Sequence, residues 1–322
     1  KQIMQKTRKF LLRLCLCVTL AAGLWMSFVY IRDTKGAEKD RQEALKTAEG
    51  GDSSEKPSSA PYVPPGPDSP TDSEEETQKD QTEEGSPKSE AYRPKQMTLA
   101  ELPEEAAGIT DIDVKALKEV NADVLGWIEL PGTKLSYPLL QGEDNEVYLN
   151  HNWKKEPSVS GSIFLECTNK GDFSGFHTII YGHRMKDNSM FGVLKYYESH
   201  EFWKEHPAIY IADGESVRCY RIFAAHETDV KGMVYRLDLK KRNLEEEFVR
   251  FCLENSVLDV GEEENSLPKP GAPILTLSTC TGRGHDTRWV VQGYLSEIYS
   301  DSPLYEKQRL TEESEAIKSS TP

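Results

Sequence analysis

Apolar residues fall into three regimes along the 322-residue chain. Between Leu14 and Ile31 they form one uncharged run of 18 residues, rich in Leu, Val, Ala, Phe and Trp. As a helix, at about 1.5 Å of rise per residue, the run is roughly 27 Å long, close to the ~30 Å hydrocarbon core of a bilayer. Residues 1–32 are therefore read as a basic N-terminus and a transmembrane anchor. From 33 to 97 large aliphatics nearly vanish, Leu45 and Val63 being the only Leu, Ile or Val. Such a stretch cannot bury enough apolar surface to offset its ordering entropy, so it predicts a disordered, acidic spacer rich in Pro, Ser and Glu. From 98 to 305 apolar residues return in short periodic runs, which predicts one globular domain. Residues 306–322 turn polar again and read as a frayed tail.

Within the globular part, Asp111-Ile112-Asp113 precedes Val114, Leu117 and Val120 at three-residue spacing, predicting a short Asp-capped helix. Gly126–Leu130, the turn Pro131-Gly132-Thr133 and Leu135–Leu140 predict a hairpin. Further strands are predicted at Gly161–Leu165, His177–Tyr181, Ala208–Ala212, Val217–Ala225, Ile274–Thr279 and Trp289–Leu295. Asn243-Leu244-Glu245-Glu246 resembles a capping box, opening a helix with Leu244, Phe248, Phe251 and Cys252 on one face. Short strands with few helices make this a mostly β fold, a barrel or sandwich.

Charge narrows the function. The net charge of −15 and pI near 5.1 exclude nucleic acid as a partner, because phosphate binding needs a basic footprint. The first 32 residues run against that average, with six Lys or Arg and no acid. Basic residues ahead of an apolar run predict a cytoplasmic N-terminus, with everything after residue 32 outside the cell. A cleavable signal peptide is the competing reading, with Ala21-Ala22-Gly23 as a poor site; the apolar run continues beyond it. Residues 33–97 carry 16 acids and 9 bases and read as a solvated tether.

No His-Glu-x-x-His, Cys-x-x-Cys, phosphate loop or Gly-x-Ser-x-Gly elbow occurs, so neither a metal nor a cofactor is expected and thiol chemistry remains. Cys219 and Cys252 lie in apolar patterns, where Cys acts as a small hydrophobe. Cys280 instead ends a strand and enters the polar turn Thr281-Gly282-Arg283-Gly284. Arg288 begins the next strand and, if the two strands pair, returns beside Cys280. A neighbouring cation raises the thiolate fraction of a thiol. At another strand end stands His183, in Tyr181-Gly182-His183, a candidate general acid and base. His177, His226 and His285 are its rivals. After Cys280 is set aside, Cys167, Cys219 and Cys252 leave an odd count, which predicts free thiols.

Thr276-Leu277-Ser278-Thr279-Cys280 followed by Arg288 resembles the Thr-Leu-x-Thr-Cys…Arg signature of sortases. The segment Tyr181–Gly192 resembles the histidine segment of class B sortases. Trp127-Ile128, Pro131-Gly132-Thr133, Tyr137-Pro138, Tyr148–Asn152 and Gly161–Leu165 fit the same class. The resemblance spans about residues 108–298. It implies a closed β-barrel with an N-terminal helix and a cysteine transpeptidase needing no metal or cofactor. Such enzymes cut the C-terminal sorting signal of surface proteins, hold the acyl group as a thioester and pass it to an amine of cell-wall precursor. The resemblance assigns Cys280 as nucleophile, His183 as general acid and base, and Arg288 as oxyanion or substrate stabiliser. It places Ser278 and Thr279 along the substrate groove. The implied location is the cell membrane, single-pass, with the catalytic domain extracellular.

Two other readings compete. One is an extracellular cysteine hydrolase or wall peptidase, although His183 precedes Cys280 here and papain-like enzymes place Cys first. The other is a non-catalytic surface binding protein in which Cys280 is structural.

Overall fold

The computed structural model describes residues 36–49, 92–261, 267–282 and 286–302. The predicted anchor, most of the spacer and the polar tail lie outside them. Among the described residues no helix is long and apolar enough to cross a membrane.

The described residues form nine strands: β1 Lys95–Met97, β2 Val124–Glu129, β3 Ser136–Leu140, β4 Ile163–Leu165, β5 His177–Tyr181, β6 Ala208–Ala212, β7 Val217–Asp229, β8 Ile274–Cys280 and β9 Thr287–Tyr299. Their order is β1-β9-β7-β6-β2-β3-β4-β5-β8, and β8 pairs again with β9. That last pairing closes eight strands into a barrel and removes their free edges. β1 runs parallel to Glu297–Tyr299 and continues the β9 edge beyond the end of β8. The predicted hairpin is β2–β3, antiparallel with Trp127 opposite Pro138. β7, β8 and β9 each extend past their predicted ends, because a closed barrel pairs polar residues such as Thr228 and Arg288 that an apolar count leaves out.

Alternation along the strands sorts side chains into layers. Ile128, Leu139, Ile163, Ile180, Ile211, Leu275, Leu277 and Val291 pack in the barrel interior. A second cluster lies outside it, under helix α2 (Val114–Val120) and the 3-10 segments Leu99–Glu101 and Glu104–Asp111. Asp113 caps α2 as expected, its carboxylate accepting from the Ala116 N–H at 2.9 Å. The short helix α3 (His200–Glu205) follows β5. Helix α4 (Arg242–Asn255) covers the outer face of β7, β8 and β9 with Phe248 and Cys252. The expected capping box is not formed. The Leu244 and Glu245 N–H groups bond the Lys241 carbonyl, so the first turn closes on Lys241 and takes Asn243 into the helix.

A correction concerns the spacer. Residues 36–48 form a helix, α1, joined to the barrel, and the ordered domain therefore includes chain ahead of residue 98. Ala37, Ala44 and Ala48 are all buried. Small residues on one helix face bring its backbone close to the barrel, and hydrogen-bonded carboxylates replace the missing large aliphatics. Counting only Leu, Ile and Val missed that stripe.

Candidate active site

β5 and β8 run parallel and in register, with Tyr181 beside Ser278. β5 ends here and β8 runs two residues further, so the next residue but one on each side is His183 and Cys280. The Gly182 N–H bonds the Ser278 carbonyl at 3.3 Å and carries the pairing to that end. Across the other edge of β8, Cys280 stands directly opposite Arg288 on β9. Cys280, His183 and Arg288 thus come together on three adjacent strand ends, all partly exposed. The expected return of Arg288 beside Cys280 is the observed register.

Each side chain is positioned by its neighbours. His183 is clamped at its backbone, where the Phe191 N–H donates to the His183 carbonyl at 2.9 Å and closes the loop between them. Gly182 is required there, since a Cβ would sit 2.8 Å from the Phe191 ring. The imidazole Nε2 lies 2.6 Å from the Leu149 carbonyl oxygen. A carbonyl only accepts, so Nε2 carries the proton and Nδ1 is the nitrogen left to exchange one. Arg288 Nη1 donates to the Thr287 carbonyl at 3.0 Å. The Thr281 and Thr287 hydroxyls, 2.8 Å apart, pin the two sides of the turn after Cys280.

Tyr235 is a member that sequence reasoning missed. Its hydroxyl lies 2.9 Å from the Ser278 hydroxyl. Burial pushes its phenol pKa up, while the nearby Arg288 guanidinium and Cys280 sulfur act on it in opposite directions. Tyr235 sits in a single turn, Met233–Tyr235, between β7 and α4, and no strand or helix period marks it. The Leu149 carbonyl was equally hidden, since backbone acceptors leave no trace in residue identity.

The pair expected along the groove divides. Ser278 shares the face of Cys280 and contacts Tyr235. Thr279 lies on the opposite face, paired with Trp289, buried, and its hydroxyl has no partner among the described residues. Two residues per side-chain period puts neighbours on opposite faces, so only Ser278 shares the Cys280 surface.

Two rival histidines are accounted for elsewhere, and His285 lies outside the described residues. His177, at the start of β5, is fully buried between the Arg236 carbonyl and the Thr276 hydroxyl, at 2.8 Å from each. His226 is buried against Phe251. The four described cysteines are free thiols, as expected. Burial pushes the Cys219 thiol up to about 12 and the Cys252 thiol higher still.

The comparisons with known proteins agree with this geometry. Residues 128–296 match the family model of the sortase domain. Sortase B of Listeria monocytogenes is 34% identical over 185 residues, covering 57% of this chain and 74% of the relative. Sortase B of Staphylococcus aureus is 34% identical over 166 residues, or 52% and 66% of the two chains. The structure of a Staphylococcus aureus sortase B–substrate complex superposes with a TM-score of 0.53 at 31% identity, over 59% of this chain and 85% of that one. A structure of sortase B complexed with triglycine gives 0.52 at 32%, over 58% and 86%. On the barrel, on the meeting of Cys, His and Arg at its strand ends and on the matched sequence, the chain belongs to the sortase family and is a class B sortase, a cysteine transpeptidase.

Proposed function

We propose that Cys280, His183 and Arg288 are the reacting group of a membrane-anchored transpeptidase that joins surface proteins to a cell-wall amine. The observation that carries this is the register of three strand ends, which sets Cys280 opposite Arg288 and alongside His183. In the first half-reaction Cys280 passes its thiol proton to His183 Nδ1 and, as thiolate, attacks the carbonyl carbon of the scissile amide in a C-terminal sorting signal. Arg288 donates charged hydrogen bonds to the oxygen as it gains charge, an interaction worth about 3–4 kcal/mol in comparable oxyanion sites. The C–N bond breaks, His183 gives its proton to the leaving amine, and a thioester remains. In the second half the acceptor amine attacks the thioester, His183 takes the amine proton, and the thiolate leaves. Ser278, with Tyr235 behind it, borders the substrate groove. Thr279 contributes there only through its backbone.

Related structures supply the substrate classes. One structure is a sortase B–substrate complex and another holds triglycine, a short peptide with a free amine. The apolar run Leu14–Ile31 behind five basic residues supports a single membrane pass with the N-terminus cytoplasmic and the barrel outside. The test is incubation of the full chain with a library of sorting-signal peptides, with and without an amine acceptor, followed by mass spectrometry. A thioester on Cys280 that is resolved into an amide by the amine is the expected result. An adduct on another residue, or hydrolysis indifferent to every amine, would sink the assignment.

A further inference from the structure

Helix α1 reaches the active site through one loop. Its Asp40 carboxylate accepts from the Asn152 side-chain amide at 3.1 Å and from the Ser158 hydroxyl at 3.0 Å. Glu43, one turn on, holds Lys154 at 2.9 Å. At the end of the helix the Ala48 carbonyl accepts from the Asp113 N–H at 3.2 Å. The loop so held is tightly made. Asn152 is buried, and its carbonyl side-chain oxygen accepts from the Lys154 and Glu156 N–H groups, both at 3.0 Å. The Ser158 N–H bonds the Asn150 carbonyl at 2.8 Å, and the Ser162 N–H bonds the Tyr148 carbonyl at 2.8 Å. These two bonds bracket Leu149, whose carbonyl meets His183. Gly161 presses against the same peptide from behind. Its φ is +55°, and a Cβ there would lie 2.6 Å from the Leu149 oxygen. The contacts run without a gap from α1 to the imidazole.

We propose that Asp40 is a positioning residue for His183, acting through Asn152 and Ser158 to fix the Leu149 carbonyl that holds the proton on Nε2. The proposal rests on the assignment of His183 as general acid and base. A half-buried carboxylate loses hydration, and here both its oxygens spend their hydrogen bonds on the 152–158 loop. Removing it frees the loop end nearest Leu149. The carbonyl then no longer selects one tautomer, and the imidazole reaches its working orientation for a smaller fraction of the time. Displacement of a supporting contact by an ångström is enough to cost an order of magnitude or more in rate.

The experiment uses the full chain with Asp40→Ala, Ser158→Ala and, as a control on the exposed side of α1, Lys46→Ala. Nitrogen-15 NMR of the imidazole reads the His183 tautomer without substrate. Thioester formation from a sorting-signal peptide reads kcat and KM. In Asp40→Ala we expect the Nε2–H signature to give way to a mixture and kcat to fall about tenfold with KM little changed. Ser158→Ala should show the same in weaker form, and Lys46→Ala neither. Should Asp40→Ala not fold, Ser158→Ala carries the test. A wild-type tautomer together with wild-type kcat in the folded variants overturns the proposal, as does a kcat loss with the tautomer intact. Failure of the parent chain to form a thioester would instead strike the assignment of His183, and the tautomer comparison would still decide the role of Asp40.

Discussion

β5 has a histidine at its start and another just past its end, and only the second stands among the reacting groups. At the start of β5, His177 is enclosed by Phe248 of α4 and hydrogen-bonded on both nitrogens, and burial lowers its pKa to about 4. Six residues on, roughly 20 Å along an extended chain, His183 is partly exposed, with one nitrogen tied and the other open. The cysteines divide in the same way. Cys219 and Cys252 are buried and their thiols are pushed far above the neutral range, whereas Cys280 sits beside Arg288 at an open strand end. Identity of side chain therefore decides little in this barrel. What decides is whether the group is buried under packed elements or faces solvent and a cation at an open strand end.

The sharpest way to break that contrast is to exchange the thiols. Cys280→Ala should abolish the thioester seen by mass spectrometry, while Cys252→Ala should form it like the parent. Next in size, His183→Gln should lower kcat by about 10²–10⁴, the usual range for a lost general acid and base, in a stopped assay of peptide cleavage. Arg288→Lys keeps the charge and loses the planar fork, so turnover should fall about 10²-fold.

On the buried side the effects concern stability. Burial lowers the pKa of His226 to about 4, and neither ring nitrogen has a partner among the described residues. The unfolded chain binds a proton near pH 6.5 and the folded chain does not until about pH 4, so this group destabilises the fold progressively as pH drops through that window. His226→Leu should remove about 2 kcal/mol of acid sensitivity at pH 5, read as a flatter dependence of the unfolding midpoint on pH between 7 and 5. An unchanged slope would mean that His226 is not held neutral. The smallest expected effect is that of Tyr235→Phe, about 1 kcal/mol in thermal unfolding from loss of its bond to Ser278.

Much of this was legible beforehand. The β2–β3 hairpin, β5 and β6 followed from alternation bounded by Gly and Pro, and Cys280 and Arg288 stood out because both lie where an apolar run meets a polar turn. Helix α1 did not stand out, since alanines on one face read as polar spacer until a barrel is there to receive them. Tyr235 sits in a single irregular turn with no period to read. Thr279 was grouped with Ser278 by adjacency, although a strand separates neighbours onto opposite faces.

By itself the sequence determined which residues could do chemistry and where strands begin and end, because polarity and turn chemistry are local properties. Only the tertiary structure decided which strand ends meet, which histidine is left open and which carbonyl holds its proton. Register between β5, β8 and β9 joins residues nearly a hundred positions apart, and burial, which tunes each group, depends on everything packed around it.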